Sequence, residues 1–225
     1  MNEHARAELR LLRLLQLSSP ALPVGAFSYS QGLEAAAAAG LVTDAPTAAR
    51  WIGDALEHCM VRLDGPLLLR LCEAWAGGGA DAAAWNTRFL ASRESAELRA
   101  ETVQMGYSLR LLLGSLMDAG PLHALREVAF PTAFAYAAAA WDIPASDALT
   151  GYLWSWVESQ VMTAVKVVPL GQTDGQRMLL GLAERARAGA EVARSLGDDS
   201  IGAVMPQLAL LSAQHESQYS RLYRS

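Results

Sequence analysis

Lysine, cysteine and charge in general are scarce in this chain. Its single lysine is Lys166, so nearly all positive charge is arginine, and Lys+Arg 18 against Asp+Glu 23 leaves a formal net charge of −5. That balance argues against a nucleic-acid partner, whose phosphates demand clustered cations. Two cysteines, Cys59 and Cys72, cannot build a disulfide framework or a zinc motif and are read as reduced thiols of a cytoplasmic protein. No apolar run reaches the roughly 20 residues that a membrane span needs, and the closest, residues 128–141, is interrupted by Pro131. Acidic and basic residues are scattered up to Arg13 with no small-residue cleavage site, which does not read as a secretory signal.

The patterns of catalysis are missing as well. No Gly-x-x-x-x-Gly-Lys segment is present, so any nucleotide hydrolysis belongs to another protein. His215-Glu216-Ser217-Gln218-Tyr219 has tyrosine where a His-Glu-x-x-His zinc motif needs its second histidine. His58, Cys59 and Met60 are soft ligands, but consecutive helical positions point in different directions. No metal site and no resident cofactor are assigned. One enzymatic alternative stays open: a helical small-molecule enzyme with Glu34 and His58 as acid and base.

What is present is apolar and helical. Hydrophobic residues make up 52% of the 225 and charged residues only 18%, which predicts a substantial core and further apolar surface between helices or between subunits. Alanine and leucine dominate, β-branched residues are sparse, and prolines and glycines punctuate the periodic segments. The fold expected is all-α, one compact domain of roughly ten helices over residues 1–225, with a flexible N-terminus (about 1–5) and no linker long enough to separate domains. Thr43 or Asp44 as cap with Pro46 signals one helix start, Gly65-Pro66 a break, Pro131 and Pro144 two further starts. Thr173-Asp174-Gly175-Gln176 reads as the cap of a helix ending near Ala188.

Residues 22–34, Leu-Pro-Val-Gly-Ala-Phe-Ser-Tyr-Ser-Gln-Gly-Leu-Glu, have neither a helical nor a strand period. Pro23 and Gly25 set a rigid turn, and Ser28 with Gln31 forms a Ser-x-x-Gln capping pattern that predicts a helix from about Tyr29. Glu34 then falls in the positive N-terminal part of that helix. A well-capped helix start accounts for these residues without any function.

Over residues 145–168 a helical wheel puts Trp154, Val157, Val161, Val165 and Val168 on one stripe. Ser155, Ser159, Met162 and Lys166 form a second line beside it. Lys166 either reaches solvent from a core helix or meets a carboxylate of another chain across that line of small residues. The tail, residues 215–225, carries Tyr219, Arg221, Leu222, Tyr223 and Arg224 with no later segment to cover them. Tyr and Arg are the side chains most enriched at binding hot spots. The tail is therefore expected to be mobile in isolation and ordered on a partner.

Three blocks resemble one family. Residues 22–34, the pair Glu158-Ser159-Gln160-Val161-Met162 and Lys166-Val167-Val168-Pro169-Leu170-Gly171-Gln172, and the tail are similar, in this order, to signatures of the UreF family of urease accessory proteins. The resemblance implies an all-helical, cytoplasmic, homodimeric and non-enzymatic assembly factor. By the same resemblance it binds the UreD accessory protein (UreH in some species) and recruits the GTPase UreG to apo-urease for nickel insertion. Modulation of GTP hydrolysis and an internal path for nickel are among the roles so implied, with nickel handled by the complex and not stably bound here. Partner contact is then expected from Ser28, Tyr29, Gln31, Glu34, Lys166 and Gln172, together with Tyr219, Arg221, Leu222, Tyr223 and Arg224 of the tail.

Overall fold

Helix starts along the chain are set by short polar caps and prolines. The computed structural model describes residues 2–225. Helix α1 (Glu3–Leu17) begins directly after Asn2, whose side chain accepts the Ala5 N–H, and α2 (Leu33–Ala38) follows the 22–34 segment. Helix α3 (Ala45–Ala55) carries Pro46 in its first turn, as its sequence predicts; of the two candidate caps Asp44 is the one used, in a reciprocal box with Thr47.

Beyond α3 the chain does not break at Gly65-Pro66. A π-helical stretch (Leu56–Asp64) leads without interruption into α4 (Gly65–Ala76). Pro66 has no N–H for the carbonyl of Arg62 four residues earlier, and that carbonyl accepts the Gly202 N–H at 3.0 Å instead. The proline thus anchors a distant strap where it was expected to end a helix.

The later helices are α5 (Ala82–Ala91), α6 (Ala96–Leu116, capped by Ser95), the single turn α7 (Gly120–His123), α8 (Phe130–Ala140), α9 (Ala145–Val167), α10 (Gln172–Ser195) and α11 (Pro206–His215). No strand occurs among the described residues, and the protein is an all-α, single-domain bundle. Thr173 does not cap α10, which starts at Gln172 after Gly171, two residues earlier than a Thr173 cap would place it, and extends past Ala188 to Ser195. Its extra turns are held by packing of Ala190 and Ala193 into the core, which a local capping pattern does not report.

Helix α9 runs through the middle, against α10, α4, α2, α3, α8 and α1. Its Leu149, Leu153, Val157 and Val161 are wholly buried. Of the stripe read from the wheel, Val157, Val161 and Val168 are core residues, while Trp154 and Val165 are half-buried. Helix α8 is buried nearly all round, and its alanines let α4 and α6 approach closely. Gly106 of α6 packs directly on the segment leading into α8, where a Cβ would stand 2.0 Å from the Val128 carbonyl oxygen. Each fully buried leucine or phenylalanine in this core contributes on the order of 2 kcal/mol. No helix is long and apolar enough to cross a membrane among the described residues.

Candidate interaction site

Backbone geometry makes residues 22–34 a rigid arch. Gly25 sits at φ +79°, a single 3-10 turn follows at Ala26–Ser28, and Tyr29 is extended. Gln31 at φ +51° and Gly32 at φ +80° then reverse the chain into α2, so the helix starts at Leu33 and not near Tyr29. Ser28 is no cap, because the chain leaves it in the wrong direction. The hydroxyl that reaches the start of α2 is Ser30, which accepts the Glu34 N–H at 3.4 Å.

Gln31, a non-glycine residue in the left-handed region, is held by its side chain. Its amide nitrogen donates to Glu101 of α6, and its amide oxygen accepts from the Trp156 indole of α9 at 2.6 Å. A strained residue pinned at both ends of its amide fixes the arch against two long helices.

The tail docks on this arch. Arg224 N–H donates to the Ser28 carbonyl at 2.8 Å, and Ser30 donates both its N–H (2.8 Å) and its hydroxyl to the main-chain oxygen of Ser225. The Ser225 hydroxyl donates to Glu101 at 2.8 Å. Glu34 takes the next two amides, from Leu222 at 2.7 Å and Tyr223 at 3.0 Å. Hydrogen bonds to a carboxylate contribute about 1.5–3 kcal/mol each, against about 1 for neutral pairs, so Glu34 is the strongest point of attachment.

Buried charge surrounds the attachment. His215, at the end of α11, is 0% exposed and lies between Glu34 (3.1 Å) and Glu97 of α6 (2.7 Å), while Arg221 donates to the other oxygen of Glu97. Burial pushes the Glu101 carboxyl up to about 7, against the opposing hydrogen bonds from Gln31 and Ser225. Burial also raises the Tyr29 hydroxyl, with Glu101 adding to it and Arg224 opposing. The Tyr223 ring is buried, its hydroxyl beside Thr163 without a well-formed hydrogen bond.

Beneath the arch lies a cavity of about 410 Å³, walled by Tyr29, Gln31, Glu101, Tyr152, Cys59 and the second line of α9 up to Lys166. Asp64 and Arg93 form a buried ion pair in its wall at 2.8 Å, and the Tyr152 hydroxyl donates to Asp64 at 3.4 Å. Burial works against the Arg93 cation, but Asp64 outweighs it, and the guanidinium also lies 4.2 Å from the Phe89 ring centre. Burial, reinforced by the Asp64 charge, pushes the Cys59 thiol up to about 12, which makes it an unreactive lining group. No cluster of three or more histidines, cysteines or carboxylates suited to a metal ion occurs among the described residues.

The structure therefore brings Ser28, Tyr29, Gln31 and Glu34 together with Leu222, Tyr223 and Arg224. The expectation of an uncovered tail is corrected: Tyr223 and Ser225 are buried, because the arch supplies main-chain partners for them. Outward-facing are Tyr219 (104% exposed), Leu222 (77% exposed), Arg221 and Arg224. Glu34 is an internal anchor, not part of an outer surface. Lys166 is exposed at the cavity rim, and Gln172 is exposed in the first turn of α10, lining neither the cavity nor the shallower hollow near Gln218. The acid–base alternative finds no geometry, since Glu34 meets His215 while His58 is exposed on the π-helical stretch. Glu97, Glu101 and Trp156 complete the site and had no local signal; His215, met in the sequence only as the start of an incomplete zinc pattern, completes it as well.

A sequence profile of the UreF family matches residues 42–183. That span contains neither the arch nor the tail, so it is independent of two of the three blocks that carry the resemblance. Proteins called urease accessory protein UreF are similar along almost the whole chain. The one from Azoarcus sp. (strain BH72) is 54% identical over 226 residues, covering 96% of each chain. Those from Janthinobacterium sp. (strain Marseille) and Dechloromonas aromatica (strain RCB) are 52% and 50% identical, each covering 96% of this chain and 98% of the relative. The chain belongs to the UreF family of urease accessory proteins.

Proposed function

We propose that this protein is a non-enzymatic scaffold of urease maturation, which binds the UreD/UreH accessory protein and recruits the GTPase UreG to apo-urease for nickel insertion. It works in the cytoplasm as a homodimer and modulates GTP hydrolysis by its partner; nickel is cargo of the complex. The observation that carries this reading is the tail seated on the arch. It spends its main-chain groups and Tyr223 inward and leaves Tyr219, Arg221, Leu222 and Arg224 facing out. An ordered platform with exposed Tyr, Arg and Leu side chains loses less entropy on binding than a free peptide would.

Co-purification with a UreD/UreH-type protein tests the reading. Tyr219→Ala with Leu222→Ala in one chain is expected to leave thermal unfolding unchanged and to weaken association at least about tenfold. Undiminished association by that variant, or turnover of a metabolite by the purified protein alone, overturns it.

A further inference from the structure

Residues 196–205 link α10 to α11 as a strap that is held firmly at both ends and lightly between them. At its start the Asp198 carboxylate accepts from Arg70 Nε at 2.7 Å, the Leu196 carbonyl from the same guanidinium at 3.0 Å, and the Asp198 carbonyl from Arg88 at 2.8 Å. At its end Met205 is buried, and α11 is pinned by Leu208, Leu211 and the buried hydroxyl pair of Ser212 and Ser95 at 2.7 Å. Between these anchors two main-chain hydrogen bonds tie the strap to the body, Gly202 N–H to the Arg62 carbonyl (3.0 Å) and Val204 N–H to the His58 carbonyl (3.3 Å). Both acceptors belong to exposed residues of the π-helical stretch, so water can replace the strap amides when these bonds open.

The strap lies over one end of the cavity. Along α9 the cavity wall runs from Tyr152 to Lys166, roughly 20 Å of helix. Lys166 marks the exposed rim, and Tyr152 marks the other end, where its hydroxyl meets Asp64 and Arg93 packs on Phe89. Ala203 of the strap lines the cavity and packs with Ile201 against the cluster that contains Phe89. Cys59, on the π-helical stretch between His58 and Arg62, lines it too.

We propose that the strap is a lid over a second entrance to this cavity. Its middle lifts off the π-helical stretch while Asp198 and α11 hold its ends, which opens the Asp64–Arg93 end to solutes and uncovers Cys59. Pro66, by leaving the Arg62 carbonyl free, gives the lid its seat. The arch and the tail take no part in the motion, so its test is independent of the scaffold role.

Two rates are measured in the full chain at about pH 8: amide exchange at Val204, and modification of Cys59 by dithiodipyridine, a neutral aromatic disulfide, with Cys72, buried in α4, as the internal reference. Cys59 is expected to react at least about tenfold faster than Cys72. Gly202→Pro deletes the N–H that the Arg62 carbonyl accepts. Ile201 before it is already extended (φ −77°, ψ 113°) and a Cβ at 202 meets open space, so the strap can take the ring. Exchange at Val204 and modification of Cys59 should then rise together, about fivefold or more, with Cys72 unchanged. Asp198→Ala, which loosens the start of the strap from Arg70, should move the same two rates in the same direction. Gly202→Ala keeps the N–H and should move neither. Val204 freed while Cys59 keeps its rate, Cys72 rising in step with Cys59, an equal rise in Gly202→Ala, or rates that neither loosening variant moves overturns the proposal.

Discussion

Glu34 and Leu222 are 188 positions apart, yet the carboxylate of one accepts the main-chain N–H of the other at 2.7 Å. The same carboxylate takes the Tyr223 amide and faces His215, so a single side chain joins α2, the end of α11 and the tail. Glu34→Ala is expected to leave the buried Tyr223 amide, the half-buried Leu222 amide and a histidine without their partner. The cost is about 2–4 kcal/mol by the penalty for unsatisfied buried groups, felt first as release of the tail. Limited proteolysis should cut beyond His215 faster by about tenfold or more while the helical circular dichroism signal is retained.

Glu101 should give the protein a pH-dependent stability. Its folded pKa is raised from 4.5 to about 7, so between those values the folded state keeps a proton that the unfolded chain has released. Stability tied to the neutral carboxyl is therefore complete below about pH 4.5 and lost as pH rises to about 7, a change on the order of 3 kcal/mol. Glu101→Gln keeps a donor and an acceptor for Gln31 and Ser225 and removes the titration. Urea midpoints measured across this window should fall with pH in the unmodified chain and run flatter in the variant.

Local chemistry made most of the helices legible. Asp44 and the prolines at 46, 131 and 144 act through neighbours within one turn, and the structure uses them where the sequence puts them. The arch was legible as a stiff turn but not in its direction, since Ser28 and Gln31 satisfy a capping pattern that the backbone at Gln31 and Gly32 does not allow. The amide of Gln31 goes to Glu101 and Trp156, 70 and 125 positions away, and no short-range rule could anticipate that. For the same reason Glu34 was legible only as a first-turn carboxylate. Its burial depends on a tail that sequence separation hides.

The Asp64–Arg93 pair supports the wall of the cavity, and it is expected to be costly to break from one side. Asp64→Asn leaves the guanidinium, 14% exposed, without its counter-charge, and should lower stability by about 3–5 kcal/mol. Replacing both, Asp64→Leu with Arg93→Met, removes the desolvated charges together and should cost markedly less. Denaturant unfolding of the two variants decides this, and equal losses would mean that packing against Phe89 and Tyr152 matters more than charge compensation.

Gly106 sets the distance between α6 and the segment leading into α8, and through α6 the position of Glu97 and Glu101. A Cβ there would meet the Val128 carbonyl oxygen at 2.0 Å and the Ala129 carbonyl carbon at 2.8 Å, both of them backbone atoms that cannot rotate away. Gly106→Ala would ordinarily favour a helix by up to about 1 kcal/mol through lower backbone entropy. Here the two backbones must separate, and overpacking of a tight contact costs about 1–3 kcal/mol or more, so the steric effect wins. A lower melting temperature is expected, together with weaker protection of the tail amides, because a displaced α6 carries Glu97 and Glu101 away from His215 and Ser225. Gly114 on the same helix, where a Cβ would meet the His123 ring nitrogen at 3.2 Å, provides the comparison. Gly114→Ala should be tolerated by a small rotation of His123, and similar losses at both glycines would show that the close approach at residue 106 is not what fixes α6.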